Sequence, residues 1–125
     1  MNVVDSSGWL EYFTDGPNAR EFLAPLRDSA ALIVPVVTIY EVFKVVLRER
    51  GENDALLAAA AMQKGTVVDV TVKLALAASK LSLAHQLPMA DSLILATAQA
   101  HGATVWTLDA DFRSLPGVRY FPRKA

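Results

Sequence analysis

Four short runs rich in β-branched residues constrain this chain more than anything else in it: Asn2-Val3-Val4, Leu32-Ile33-Val34-Pro35-Val36-Val37, Thr66-Val67-Val68-Asp69-Val70 and Ala103-Thr104-Val105-Trp106-Thr107. Near-continuous apolar runs of this kind suit strands covered on both faces, and such strands belong mainly to parallel sheets flanked by helices. The stretches between them are long enough for helices, and strands spaced by helices give an α/β sandwich. The expected architecture is a three-layer α/β/α sandwich around a mostly parallel sheet of about five strands, with Val118-Arg119-Tyr120-Phe121 as the edge strand. At 125 residues, 53% of them hydrophobic, the chain has material for one well-packed domain over 1–125 and too little for two.

Local signals set the expected helices. A short helix follows Asp5 through Phe13. Asp15-Gly16-Pro17 is a turn that starts a second helix running to about Ala30, bent at Pro25. Thr38 is expected to cap a helix ending at Gly51, Asn53 to cap the next through Gln63, and Thr71 to open a long apolar helix to Gln86. Pro88 opens another over Met89 to His101, stopped by Gly102. A short turn or helix covers Asp109 to Leu115.

Connectivity then locates the acids. A helix that follows a strand almost without a loop begins at that strand's C-terminal edge, so Glu41 lies at that edge. The helix ending at Gly102 feeds directly into the fourth strand, so its start, with Asp91, returns to the same edge. Asp109 and Asp111 follow the fourth strand, and Asp5 follows the first. Each acid has an ordinary explanation as well. Thr38 and Glu41 have capping-box spacing, worth about 1 kcal/mol, and for Glu41 alone the cap is the preferred reading. Asp91 sits where a helix dipole favours an anion. Asp109 could cap the segment after it, and Asp5 could close an Asx-turn. These explanations predict no shared location, whereas the topology gives one. Two carboxylates about 4 Å apart repel by about 4 kcal/mol at an effective dielectric of about 20, so such a cluster needs cations. All-oxygen ligation without cysteine or paired histidine selects Mg²⁺ or Mn²⁺ over zinc, and carboxylate sites of that type activate water and polarise phosphoryl oxygens.

Composition narrows the function classes. The absence of cysteine excludes disulfides, thiolate metal sites and a cysteine nucleophile. A net charge of −1 argues against coating nucleic acid by bulk electrostatics, though not against a local basic rim. No apolar run approaches the length of a membrane helix, and the N-terminal residues lack the pattern of a secretory signal, so a cytoplasmic location without membrane attachment is expected. Mean hydropathy of +0.29 is high for so small a domain and implies apolar surface covered by another chain.

The motifs VVDSS, VTIYE, PMADSLILATA and VWTLDADF, in that order and spacing, resemble the PIN-domain nucleases, in particular the VapC-type toxins of toxin–antitoxin pairs. The likeness covers essentially the whole chain, and its specificity lies in the ordered set, not in any single motif. It implies that Asp5, Glu41, Asp91 and Asp109 are the catalytic, metal-binding acids. Asp111 matches an additional acid used by some members, and Ser6 and Thr107 fall where a hydroxyl often stands beside the metal. The resemblance further implies a Mg²⁺- or Mn²⁺-dependent endoribonuclease acting on RNA, a homodimer whose interface draws on the helices after the second strand, and a cognate antitoxin. Lys44, Arg48 and Arg113 are candidates for steering the RNA. Two rival readings remain: a metal-dependent phosphatase or phosphoacceptor domain, which needs a second acid where Ser7 stands, and a PIN-like module that binds RNA or a partner without catalysis.

Overall fold

The computed structural model describes residues Met1–Ala125. The expected strands form, most of them shorter than their apolar runs: β1 (Asn2–Val4), β2 (Ile33–Pro35), β3 (Thr66–Val68), β4 (Thr104–Thr107) and β5 (Val118–Tyr120). Every pairing is parallel. Val3 stands opposite Val105, Trp106 opposite Arg119 and Val34 opposite Val67. A parallel bridge between Asn2 and Leu32 joins the β1-β4-β5 group to the β2-β3 pair, so the strands run in the order β3-β2-β1-β4-β5. Pro35, which has no N–H to give a ladder, is the last residue of β2.

Six helices accompany them: α1 (Ser6–Phe13), α2 (Leu23–Arg27), α3 (Val36–Arg50), α4 (Glu52–Met62), α5 (Val72–His85) and α6 (Met89–Ala100). Successive strand side chains point to opposite faces, and the core divides accordingly. Val4 and Val34 pack with Trp9, Phe22, Val42, Ala55 and Met62, so α1, α3 and α4 cover one face. Their neighbours Val3 and Ile33 pack with Val105, Ile94, Leu95 and Phe112, so α6 covers the other. Leu74 and Ala78 of α5 pack on Ala96 of α6. The result is the expected three-layer sandwich, and no helix is long and apolar enough to cross a membrane.

Helix boundaries depart from expectation in three places. The helix expected from Pro17 to Ala30 is broken into a 3₁₀ turn (Ala19–Phe22), α2 and a second 3₁₀ turn (Ser29–Ala31). Pro25 cannot donate to the carbonyl of Glu21 and its ring would crowd it, so an α-helix can hold Pro25 only within its first turn, where α2 has it. Thr38 does not cap α3. That helix starts two residues earlier, behind Pro35, and the Thr38 hydroxyl donates to the Pro35 carbonyl at 2.7 Å. Gly51, not Asn53, precedes α4, and this single residue links α3 to α4 at φ +92°, a backbone region that favours glycine. Thr71 does cap α5, accepting the Leu74 N–H at 3.1 Å.

Candidate active site

Because all strands are parallel, the residues that leave their C-terminal ends share one edge of the sheet. Asp5 follows β1 there and is 2% exposed. It caps α1. Its Oδ1 accepts the Gly8 N–H at 3.0 Å and the Ser7 hydroxyl at 2.7 Å, and its Oδ2 accepts the Thr107 hydroxyl at 2.6 Å. Burial pushes the Asp5 carboxyl up to about 6 against the pull of these bonds from Thr107, Ser7 and Gly8, and the field of Asp109 adds to the rise. Gly8 is required for close packing: a Cβ there would come within 2.6 Å of Val4 and 2.7 Å of Phe22.

The two serines after Asp5 divide the work of orientation. Ser6 donates to Glu41 Oε1, tying the start of α1 to α3. Ser7 donates to Asp5 and accepts the Leu108 N–H at 3.0 Å. Thr107 Oγ1 in turn accepts the Asp109 N–H at 2.8 Å, so one buried hydroxyl connects Asp5 with the loop that carries Asp109. The Asp109 carboxylate accepts the Asp111 N–H at 2.9 Å, which is the turn-capping role considered for it. Glu41 is not drawn into a capping box, since Thr38 is turned elsewhere, and its carboxylate meets Ser6 instead.

Asp91 opens α6, and one carboxylate oxygen each from Asp91, Asp109 and Asp111 lies within 4.8 Å of the others. Burial, then the fields of Asp109, Asp5, Glu41 and Asp111, push the Asp91 carboxyl up to about 7. The fields of the four other acids thus reach Asp91. Asp5, Glu41, Asp91 and Asp109, the acids the resemblance implied, are therefore brought together, and Asp111, which matched an acid used by some members only, lies with Asp91 and Asp109. Ser6 and Thr107 reach the acids through hydrogen bonds. Ser7 is the residue sequence reasoning passed over. Its signal was the hydroxyl doublet after Asp5, but its partner Leu108 lies 101 positions away. Arg113 directly follows the 3₁₀ turn Ala110–Phe112 that carries Asp111, whereas Lys44 lies over the Tyr40 ring and Arg48 pairs with Glu49. The donor set fits a hard divalent cation: oxygen ligands only, three of them converging, with neither cysteine nor histidine among them.

A family model described as PIN domain matches residues 3–118, a span that contains all five acids. The chain belongs to the PIN domain family. Solved structures share the fold of this PIN domain. A toxin–antitoxin complex from Klebsiella pneumoniae superposes with a TM-score of 0.80 at 22% identity, covering 95% of this chain and 96% of that one. The Mycobacterium tuberculosis toxin VapC20, described as cleaving the sarcin-ricin loop, gives 0.80 at 21% identity over 98% of this chain and all of its own. A DNA-bound VapBC from Salmonella typhimurium gives 0.73 at 17%, over 97% and 98%. No curated protein is similar to the chain at a significant level.

Proposed function

We propose that this PIN domain is a divalent-metal-dependent endoribonuclease and the toxin of a VapC-type toxin–antitoxin pair. One observation carries the reading: Asp91, Asp109 and Asp111 bring carboxylate oxygens within 4.8 Å of one another, an arrangement that costs stability and makes chemical sense when cations enter it. Solved structures of the same fold support it, one of them a toxin described as cleaving the sarcin-ricin loop. Asp91, Asp109 and Asp111 would hold the ion or ions, with Asp5 and Glu41 completing the site directly or through water. Mg²⁺ or Mn²⁺ bound there would supply Lewis acidity toward a phosphoryl oxygen and make a bound water more acidic than bulk water. The chain's own task is to fix the carboxylates. Thr107, Ser7 and the Gly8 N–H hold both oxygens of Asp5, and Ser6 holds Glu41. Such preorganisation spares the site a rearrangement when charge shifts on the phosphate.

The apolar surplus supports the proposed partners. Leu47, Leu56 and Leu57 are exposed on α3 and α4, beside a groove of about 250 Å³ lined by Phe13, Val46, Leu57 and Ala58. Val72, Leu76 and Leu83 on α5 and Met89 at the start of α6 form a second exposed set. A homodimer and a cognate antitoxin would occupy such surfaces. The test of activity is cleavage of RNA with and without Mg²⁺ or Mn²⁺ by the parent, Asp5→Asn and Asp91→Asn. The expected result is metal-dependent cleavage lost in both variants; equal, metal-independent cleavage by all three would sink the reading.

A further inference from the structure

The polypeptide beyond β5 has no regular secondary structure, yet it is fastened on both sides of one residue. The Phe121 N–H donates to the Thr107 carbonyl at 2.9 Å, and the Phe121 ring meets Phe22 edge-on and stacks with Trp106. Asn18, only 1% exposed, gives both ends of its amide to the tail. Its Nδ2 donates to the Pro122 carbonyl at 3.1 Å, and its Oδ1 accepts the Lys124 N–H at 2.9 Å. Beyond that, the Lys124 ammonium lies 2.8 Å from Glu21. The residue between the two amide contacts is Arg123.

Arg123 lines a groove of about 230 Å³ that also includes Ser7, Leu10, Glu11, Val45 and Glu49. Ser7, whose hydroxyl donates to Asp5, is thus shared between this groove and the acid site. An RNA strand brought to five carboxylates needs positive charge beside them, and several cations of the chain are engaged elsewhere. Arg48 pairs with Glu49, Lys124 with Glu21, and Arg119 lies 4.4 Å over the Trp106 ring. Arg123 has no ion pair, although two acids share its groove. Both of those are occupied: Glu11 Oε2 accepts the Asn18 N–H at 2.7 Å, and Glu49 faces Arg48. A guanidinium fork matches phosphate oxygens two at a time.

We propose that Arg123, carried on a tail that Asn18 fastens on either side of it, binds a backbone phosphate of the RNA. The proposal rests on the nuclease reading above. The experiment compares the full chain with Arg123→Ala, Arg123→Lys and Arg123→Glu, with thermal melting as a check on folding. Cleavage of a single-stranded RNA gives kcat and KM. Binding of the same RNA in Mg²⁺ over a range of salt is measured with Asp91→Asn added to prevent turnover. Arg123→Ala is expected to raise KM and Kd about fivefold with kcat within about twofold, and to reduce the salt slope by about 0.7, the share of one phosphate on a single strand. Lysine should recover part of the binding and glutamate should weaken it further. Parental Kd and salt slope in all three variants would overturn the role of Arg123. A parent that binds RNA with an Arg123-dependent slope but never cleaves it would overturn the nuclease reading and leave the groove standing; a parent that binds no RNA overturns both.

Discussion

Thr107 gives one hydroxyl to two acids, and that economy predicts what its loss does. Thr107→Val keeps the shape, removes the donor to Asp5 Oδ2 and leaves the Asp109 N–H without its acceptor. Leaving buried polar groups unpaired costs about 1–3 kcal/mol. Thermal or denaturant unfolding should show a loss of that size, with RNA cleavage down by about tenfold or more, while Thr107→Ser retains most of both. Asp91→Asn should behave in the opposite way on stability. It removes a carboxylate that four others repel, so metal-free protein should melt at the same temperature or higher while cleavage falls by about a hundredfold or more. A destabilised, unfolding-prone Asp91→Asn would argue that the acid is held by contacts and not strained by charge. At this scale the sequence exposed the acids readily, because a carboxylate at the end of an apolar strand is conspicuous. It did not expose Ser7, whose meaning depends on Leu108 arriving beside it from the far end of the chain.

The strands and the core-facing helices were legible because their patterns are local. β-Branched runs marked four of the five strands, and Thr71 marked the start of α5 by its own side chain. Boundaries that depend on a neighbour's backbone were not legible. Thr38 has the right spacing from Glu41 for a capping box, but the helix begins at Val36 because the chain turns directly out of β2 at Pro35. The glycines carry element-scale predictions. Gly8→Ala should destabilise by about 1–3 kcal/mol, since its methyl group would overlap Val4 and Phe22. It should also reduce activity, because α1 must shift and Asp5 caps that helix. Gly51→Ala has open space around it and fails only on backbone conformation, at φ +92°. Its cost should be about 1 kcal/mol or more in unfolding, without loss of cleavage per folded molecule.

Charge and apolar surface decide behaviour at the scale of the whole molecule. Asp5 and Asp91 both have folded-state pKa values above the ordinary carboxylate range, at about 6 and about 7. The folded protein therefore binds protons more tightly than the unfolded chain across that window, and their contribution to stability is present below about pH 4 and lost as pH rises through 6 and 7. For buried Asp5 the loss is about 3 kcal/mol; partly buried Asp91 adds less than its shift suggests because solvent screens it. Metal-free protein should accordingly melt higher at pH 5 than at pH 8, and Mg²⁺ or Mn²⁺ should raise the melting temperature more at pH 8. A melting temperature that rises with pH without metal would contradict the shared field of the acids. For the apolar faces, Leu57→Asp and Leu83→Asp each place a charge on one exposed set, and sedimentation should show the parent as the proposed dimer and at least one of these variants as a monomer. By itself the sequence determined the number and direction of the strands, the layers over them and the edge at which five acids meet, because hydrophobic periodicity and short connections act over a few residues. Only the tertiary structure decided which hydroxyl holds which acid, that Asp111 joins Asp91 and Asp109, and that Asn18 fastens the tail around Arg123. Those contacts span up to 106 positions, and side chains so distant are brought within hydrogen-bonding range by the packing of the sheet and its helices, which no local pattern encodes.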